Sequence, residues 1–155
     1  MRVELFNIRI RFGWFSVEKL VKVTGINSNF DDENKYHILM WDFDDTPLDK
    51  IVDELLFVQH FWELPSIHIV SSSPEHYHAY CFSKQPTPVV LHILSATPSI
   101  CKNYFKLGVI RGYWTLRISP EKGEFKKELI LQSNIPEYLD GLNKLCTVKY
   151  DTRSN

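Results

Sequence analysis

Two aspartates separated by one residue close an apolar run: Asp42 inside YHILMWDF and Asp44 just beyond it, in WDFDD at 41–45. Side chains alternate along a strand, so both carboxylates project to one face about 7 Å apart along the backbone, a spacing at which they can share divalent ions. Asp42 is preceded by five apolar or aromatic residues in six. A charge in such surroundings needs a partner. Asp44, Asp45 and Thr46 also suit a turn and a cap ahead of a helix.

A second constellation is SSSPEHYHAYCF at 71–82, which puts His76, His78 and Tyr80 on one strand face and Tyr77, Ala79 and Cys81 on the other. Imidazole can hold a phosphate or a metal near neutral pH, and a turn serine such as Ser73 can donate to the same phosphate. His78 is the functional candidate here, and His76 reads as a solvated turn residue. The third constellation is RGYWTLRISPEKG at 111–123. Arg117 within an apolar strand needs an anion, either a bound phosphate or one of the motif aspartates, and Lys122 is a second cationic candidate.

The elements that must position these groups follow from periodicity. Alternation predicts strands at 3–12, 36–43, 64–73 and 76–82, the last two joined as a hairpin through Pro74 and Glu75. Leu48, Ile51, Val52, Leu55, Leu56, Val58 and Phe61 recur at helical spacing after Pro47, with Thr46 as the expected cap, which predicts a helix over 47–63. Shorter helices are expected at 17–26, ending near Gly25, and after Pro86, closed by Pro98; a helical or irregular piece then ends at Gly108. GYWTLRIS and KELILQS read as strands, and IPEYLDGLNKLCTVKY as a C-terminal helix interrupted by Gly141. The central order of strand, helix, strand, strand, helix, strand predicts an α+β fold, an RRM-like or ferredoxin-like split βαβ sandwich with helices on one face of an antiparallel sheet. The opposite face is left to carry a site.

The composition supports one domain over 1–155. The chain holds 44% hydrophobic and 24% charged residues with a net charge of −1, which excludes a disordered chain and a strongly basic nucleic-acid coat. The near-neutral sum hides an asymmetry: residues 1–75 carry 13 acids against 7 Lys and Arg, whereas 76–120 carry no acid and 5 Lys and Arg. Cys81, Cys101 and Cys146 form no CxxC pair, so no zinc knuckle or disulfide framework is signalled. No apolar run reaches the roughly 18 residues that span a bilayer, and the N-terminus is not a signal peptide. A cytoplasmic protein without a membrane partner is expected.

Taken together, WDFDD closing one strand, SSSPEHYHAY opening a later one and LRISPEKG on a third resemble the catalytic core of the archaeo-eukaryotic primase superfamily, the primase-polymerases of archaea, plasmids and phages. Asp42 and Asp44 match its D-x-D motif, Ser73 and His78 its Ser-to-His motif, and Arg117 and Lys122 loosely its basic R-h-P-G-x-x-x-K motif. The resemblance covers about residues 36–131. It implies a DNA-replication nucleotidyltransferase in which Asp42 and Asp44 hold Mg²⁺ or Mn²⁺ between an incoming NTP or dNTP and a primer terminus. Ser73, His78, Arg117 and Lys122 would then steady the triphosphate. The implied partners are single-stranded DNA or a primer-template, with a separate helicase or replication protein.

The chain departs from the family in one respect. The superfamily supplies a third carboxylate between the histidine and the basic motif, and this sequence has no Asp or Glu from 76 to 120; Cys101 or a neighbour occupies the region, and Asp45 or Glu121 is a possible substitute. Two alternatives stand beside a polymerase. One is a catalytically degenerate module that binds single-stranded nucleic acid or nucleotide. The other is a rolling-circle nickase of the two-histidine type, with His76 and His78 on a metal and Tyr104 as nucleophile, although Lys106 falls two residues after the tyrosine instead of three.

Overall fold

The run at 36–43 becomes a strand buried on both faces, and the rest of the fold is arranged around it. A computed structural model describes residues 20–30, 33–118, 128–138 and 147–153. In chain order the elements are β1 (Leu20–Asn27), β2 (Tyr36–Phe43), α1 (Leu48–Phe61), β3 (Ile67–Ser73), β4 (His76–Pro86), α2 (Thr87–Ser95), α3 (Lys102–Arg111), β5 (Thr115–Arg117), β6 (Glu128–Leu131) and β7 (Thr147–Arg153). One antiparallel sheet has the order β2-β4-β3-β6, and a second has the order β5-β1-β7.

Alternation decides which side chains enter the core. Leu39, Trp41 and Phe43 of β2, Ile67 and Ile69 of β3, and Ala79 and Cys81 of β4 are fully buried on one sheet face. They share an apolar cluster with Ile51, Leu55 and Val58 of α1 and Val90, Ile93 and Leu94 of α2. Each large aliphatic or aromatic side chain so buried contributes roughly 1.5–3 kcal/mol. The order strand, helix, hairpin, helix and the neighbour relation β2-β4-β3 are those of a split βαβ sandwich, so the α+β class holds.

The fourth strand departs from that plan. β5 pairs with β1 in the second sheet, and β6 takes the outer edge beside β3. The second sheet is tied to β2 through His37, which is buried and bonds Ser28 Oγ at 3.0 Å while its ring meets Trp114 edge-on at 5.6 Å. The Trp114 amide in turn donates to Ser28 Oγ at 3.0 Å. On the other face of the sheet Ile38 and Met40 of β2 and His78 of β4 are buried, whereas His68, Val70 and Tyr80 are partly exposed.

Three expected elements differ. The sequence predicts a helix over 17–26, but Leu20–Asn27 is a strand, because it pairs with β7 from Leu20 to Ile26 and with β5 from Gly25 to Asn27. The end of the helix expected over 135–150 is instead strand: Thr147–Tyr150 belong to β7, whose seven residues pair with β1 from Leu20↔Arg153 to Ile26↔Thr147, residues 135–138 are not helical, and 139–146 lie outside the described residues. Helix α3 does not end at Gly108 but runs to Arg111 and is capped by Gly112, whose φ of 78° is the left-handed conformation that closes helices. Gly108 is instead a packing site: a Cβ there would lie 1.9 Å from Trp114 Nε1. Thr46 does not cap α1, since its hydroxyl donates to the Asp44 carbonyl at 3.0 Å. The strand expected at 3–12, and Lys122 and Cys146, lie outside the described residues. Among the described residues no helix is long and apolar enough to cross a membrane.

Candidate metal and phosphate site

β2 is an edge strand, so its outward carbonyls need donors from elsewhere. The start of α3 supplies them: the Cys101 amide donates to the Asp42 carbonyl at 2.7 Å, and the Tyr104 hydroxyl donates to the Met40 carbonyl at 3.0 Å. The loop that delivers Cys101 is itself fastened. Trp41 Nε1 donates to Thr97 Oγ1 at 3.0 Å, and Glu54 of α1 accepts from the Ser99 amide at 2.9 Å and its hydroxyl at 2.7 Å. These bonds hold the loop against the end of β2 where both aspartates lie.

Past Phe43 the chain turns through Asp45 in a left-handed conformation, φ 49°, which leaves Asp44 at the rim. Asp42, Asp44 and Cys101 then each offer one ligand atom, and the three atoms lie within 4.8 Å of one another. This is the one such group of three among the described residues. Two carboxylates and a thiol fit a divalent cation by donor chemistry.

On the neighbouring strand, His78 stands directly across from Asp42, with its Nε2 3.5 Å from Asp42 Oδ1. His76 Nδ1 donates to Asp44 Oδ1 at 2.9 Å. Each motif aspartate therefore faces one histidine. Arg117 arrives from the second sheet, paired opposite Gly25, and its charge acts on both Asp42 and His78 while its backbone is hydrogen-bonded to His78.

Burial and the neighbouring Asp44 charge push the Asp42 carboxyl up to about 7, against the opposing influence of His76 and Arg117. Burial would raise Asp44 too, but hydrogen bonds from Cys101 and His76 together with the histidine charges outweigh it and hold this carboxyl below its usual range. Burial, then the Arg117 charge, push His78 down to about 4, so its imidazole is neutral near pH 7. The Cys101 thiol is raised by burial and by donating to Asp44. The site thus has one ionised carboxylate at its rim, one carboxyl that ionises near neutrality, a neutral imidazole and a guanidinium.

Of the residues singled out by the sequence, Asp42, Asp44, His78 and Arg117 are brought together. Ser73 ends β3 across from His76, and the Ser71 hydroxyl donates to its carbonyl at 3.1 Å. Asp45 is exposed in the turn and is not in the donor group of three. Tyr104 does not present a nucleophile: it is 9% exposed, its hydroxyl is engaged with Met40, and burial raises its pKa well above the ordinary value. His76, expected as a solvated turn residue, is a site residue through Asp44. The sign that could have revealed it is the shared two-residue spacing of Asp42/Asp44 and His76/His78 on strands that pair in antiparallel fashion. No protein-family model, curated protein or solved structure matches this chain.

Proposed function

We propose that this protein is a nucleotidyltransferase of the primase-polymerase type, acting on an NTP or dNTP and a nucleic-acid primer terminus with a divalent ion at Asp42 and Asp44. The observation that supports this most is the convergence of Asp42, Asp44 and Cys101 ligand atoms within 4.8 Å, beside His78 and Arg117. Carboxylates for an ion and cationic or hydrogen-bonding groups for phosphate then occupy neighbouring strands.

A bound ion supplies charge stabilisation at the attacking and leaving oxygens of phosphoryl transfer. The chain's own groups have distinct tasks. The Arg117 guanidinium pairs with phosphate oxygens in fork geometry. His78, neutral at pH 7, gives a hydrogen bond to a phosphate oxygen without adding to the positive charge, while His76 orients the Asp44 carboxylate. Asp42 and Asp44 would hold the ion, whose charge would favour the ionised form of the buried Asp42 carboxyl. The resemblance adds Ser73 as a further phosphate contact, single-stranded DNA or a primer-template as the second substrate, and a separate helicase or replication protein as the partner.

The test is primer synthesis and extension with labelled nucleotides and Mg²⁺ or Mn²⁺. Activity abolished by Asp42→Ala and by Asp44→Ala supports the reading, and full activity in both variants overturns it. Nucleotide or single-stranded DNA binding without any extension would leave the binding-module reading in its place.

A further inference from the structure

We propose that Cys101 is the third ligand of the centre and that its sulfur decides which ion is held, favouring Co²⁺ and Zn²⁺ over Mg²⁺. The inference rests on the metal reading above and goes beyond it by naming a ligand and an ion class.

Three observations converge on the thiol. The stretch from 76 to 120 has no carboxylate, so a third side-chain ligand arriving from it is of another kind. Cys101 is that residue by position, with its amide on the Asp42 carbonyl at 2.7 Å and its ligand atom within 4.8 Å of those of Asp42 and Asp44. Its place is fixed from several directions, by the Phe105 amide on the Cys101 carbonyl at 3.0 Å, Tyr104 on Met40, and Glu54 on Ser99. The other described cysteine, Cys81, lies in the core with its thiol toward the Pro65 carbonyl and has no carboxylate of the site beside it. Without an ion, the Cys101 thiol is hydrogen-bonded to the Asp44 carboxylate. A cation binding between them takes the place of that proton: the S–H bond breaks, the sulfur lone pair becomes the metal bond, and one proton leaves to solvent.

Donor softness then sorts the ions. A site of carboxylates and water suits Mg²⁺, whereas a thiolate adds a strong bond only for borderline and soft ions, and affinity rises from Mn²⁺ through Co²⁺ along the first-row series. Mg²⁺ gains little from sulfur and demands near-ideal oxygen geometry. A thiol as the third donor therefore sets the preferred ion of this three-donor centre.

The experiment titrates the chelator-treated full chain with CoCl₂ and CdCl₂ while recording near-ultraviolet absorption, with far-ultraviolet circular dichroism of every variant as the folding control. The expected result is a thiolate-to-metal charge-transfer band that saturates at one ion per chain and, with Co²⁺, is displaced by equimolar Zn²⁺ but not by equimolar Mg²⁺. Cys101→Ser should lose the band and bind Co²⁺ at least about tenfold more weakly, while Cys81→Ser should keep it. Cys101→Asp should lose the band and bind Mg²⁺ more tightly than the parent, which tests the idea even if the serine variant does not fold. A band that survives in Cys101→Ser overturns the proposal. Co²⁺ binding without a band, abolished by Asp42→Asn, overturns the sulfur ligand and leaves the carboxylate centre standing. No Co²⁺ binding to the parent chain overturns both.

Discussion

His78 Nε2 lies 3.5 Å from Asp42 Oδ1 across the β2–β4 ladder, and burial moves the two groups in opposite directions, Asp42 up to about 7 and His78 down to about 4. Both shifts favour the neutral form. The pair is thus uncharged between those values, and its contribution to stability depends on pH in a way whose sign can be stated.

For Asp42 the folded value lies above the ordinary 3.8, so its contribution is fully present below that pH and is lost as the pH rises through about 7. The loss is on the order of 4 kcal/mol. His78 runs the other way: its folded value is depressed below 6.5, so its contribution is present above 6.5 and is lost as the pH falls toward 4. In chelator, Asp42→Asn should therefore raise Tm relative to the parent, and by more at pH 8 than at pH 5. An equal Tm difference at both pH values would contradict the raised carboxyl.

Tyr104 is predicted to matter for the edge of β2 and not for chemistry. Tyr104→Phe removes the donor to the Met40 carbonyl and should cost about 1–2 kcal/mol in urea unfolding. Nucleotide transfer should persist at a temperature where the variant is folded. A covalent adduct with single-stranded DNA in the parent, absent in Tyr104→Phe, would instead restore the nickase reading.

Gly108 should tolerate no side chain. Alanine there places Cβ 1.9 Å from Trp114 Nε1 and 2.1 Å from Cδ1, so the indole must move, at a cost of roughly 1–3 kcal/mol. In a Trp114→Leu background the same substitution should cost less, because the clashing ring is gone. Additive losses in this double-mutant cycle would show that the contact does not explain the glycine.

Arg117→Gln tests the division between ion and phosphate. It should raise KM for the nucleotide by about tenfold with a smaller change in kcat, since a charge-assisted phosphate contact is lost. Unchanged KM with unaltered nucleotide affinity would remove Arg117 from the phosphate site.

Much of the central sandwich is legible in the sequence because its signals are local. The β2 run, the helical spacing from Leu48 to Phe61 and the Pro74–Glu75 turn each reflect a periodicity or a backbone preference that a few adjacent residues determine. The helices expected at 17–26 and 135–150 overlap the strands Leu20–Asn27 and Thr147–Arg153, which form because each pairs with the other across more than a hundred residues of intervening chain. Their composition alone is compatible with a helix, and tertiary pairing overrides that preference.

The same division runs through the site. Residue type and strand alternation were enough to single out Asp42, Asp44 and His78, since a charge within an apolar strand and paired spacings on neighbouring strands are written in the chain. Only the tertiary structure decided that His76 faces Asp44, that Arg117 comes from a second sheet, and that Cys101 stands within 4.8 Å of the carboxylates. The physical reason is the free edge of β2. Its carbonyls needed donors, and the bond from Cys101 to Asp42 that satisfies one of them also brings the thiol to the acids.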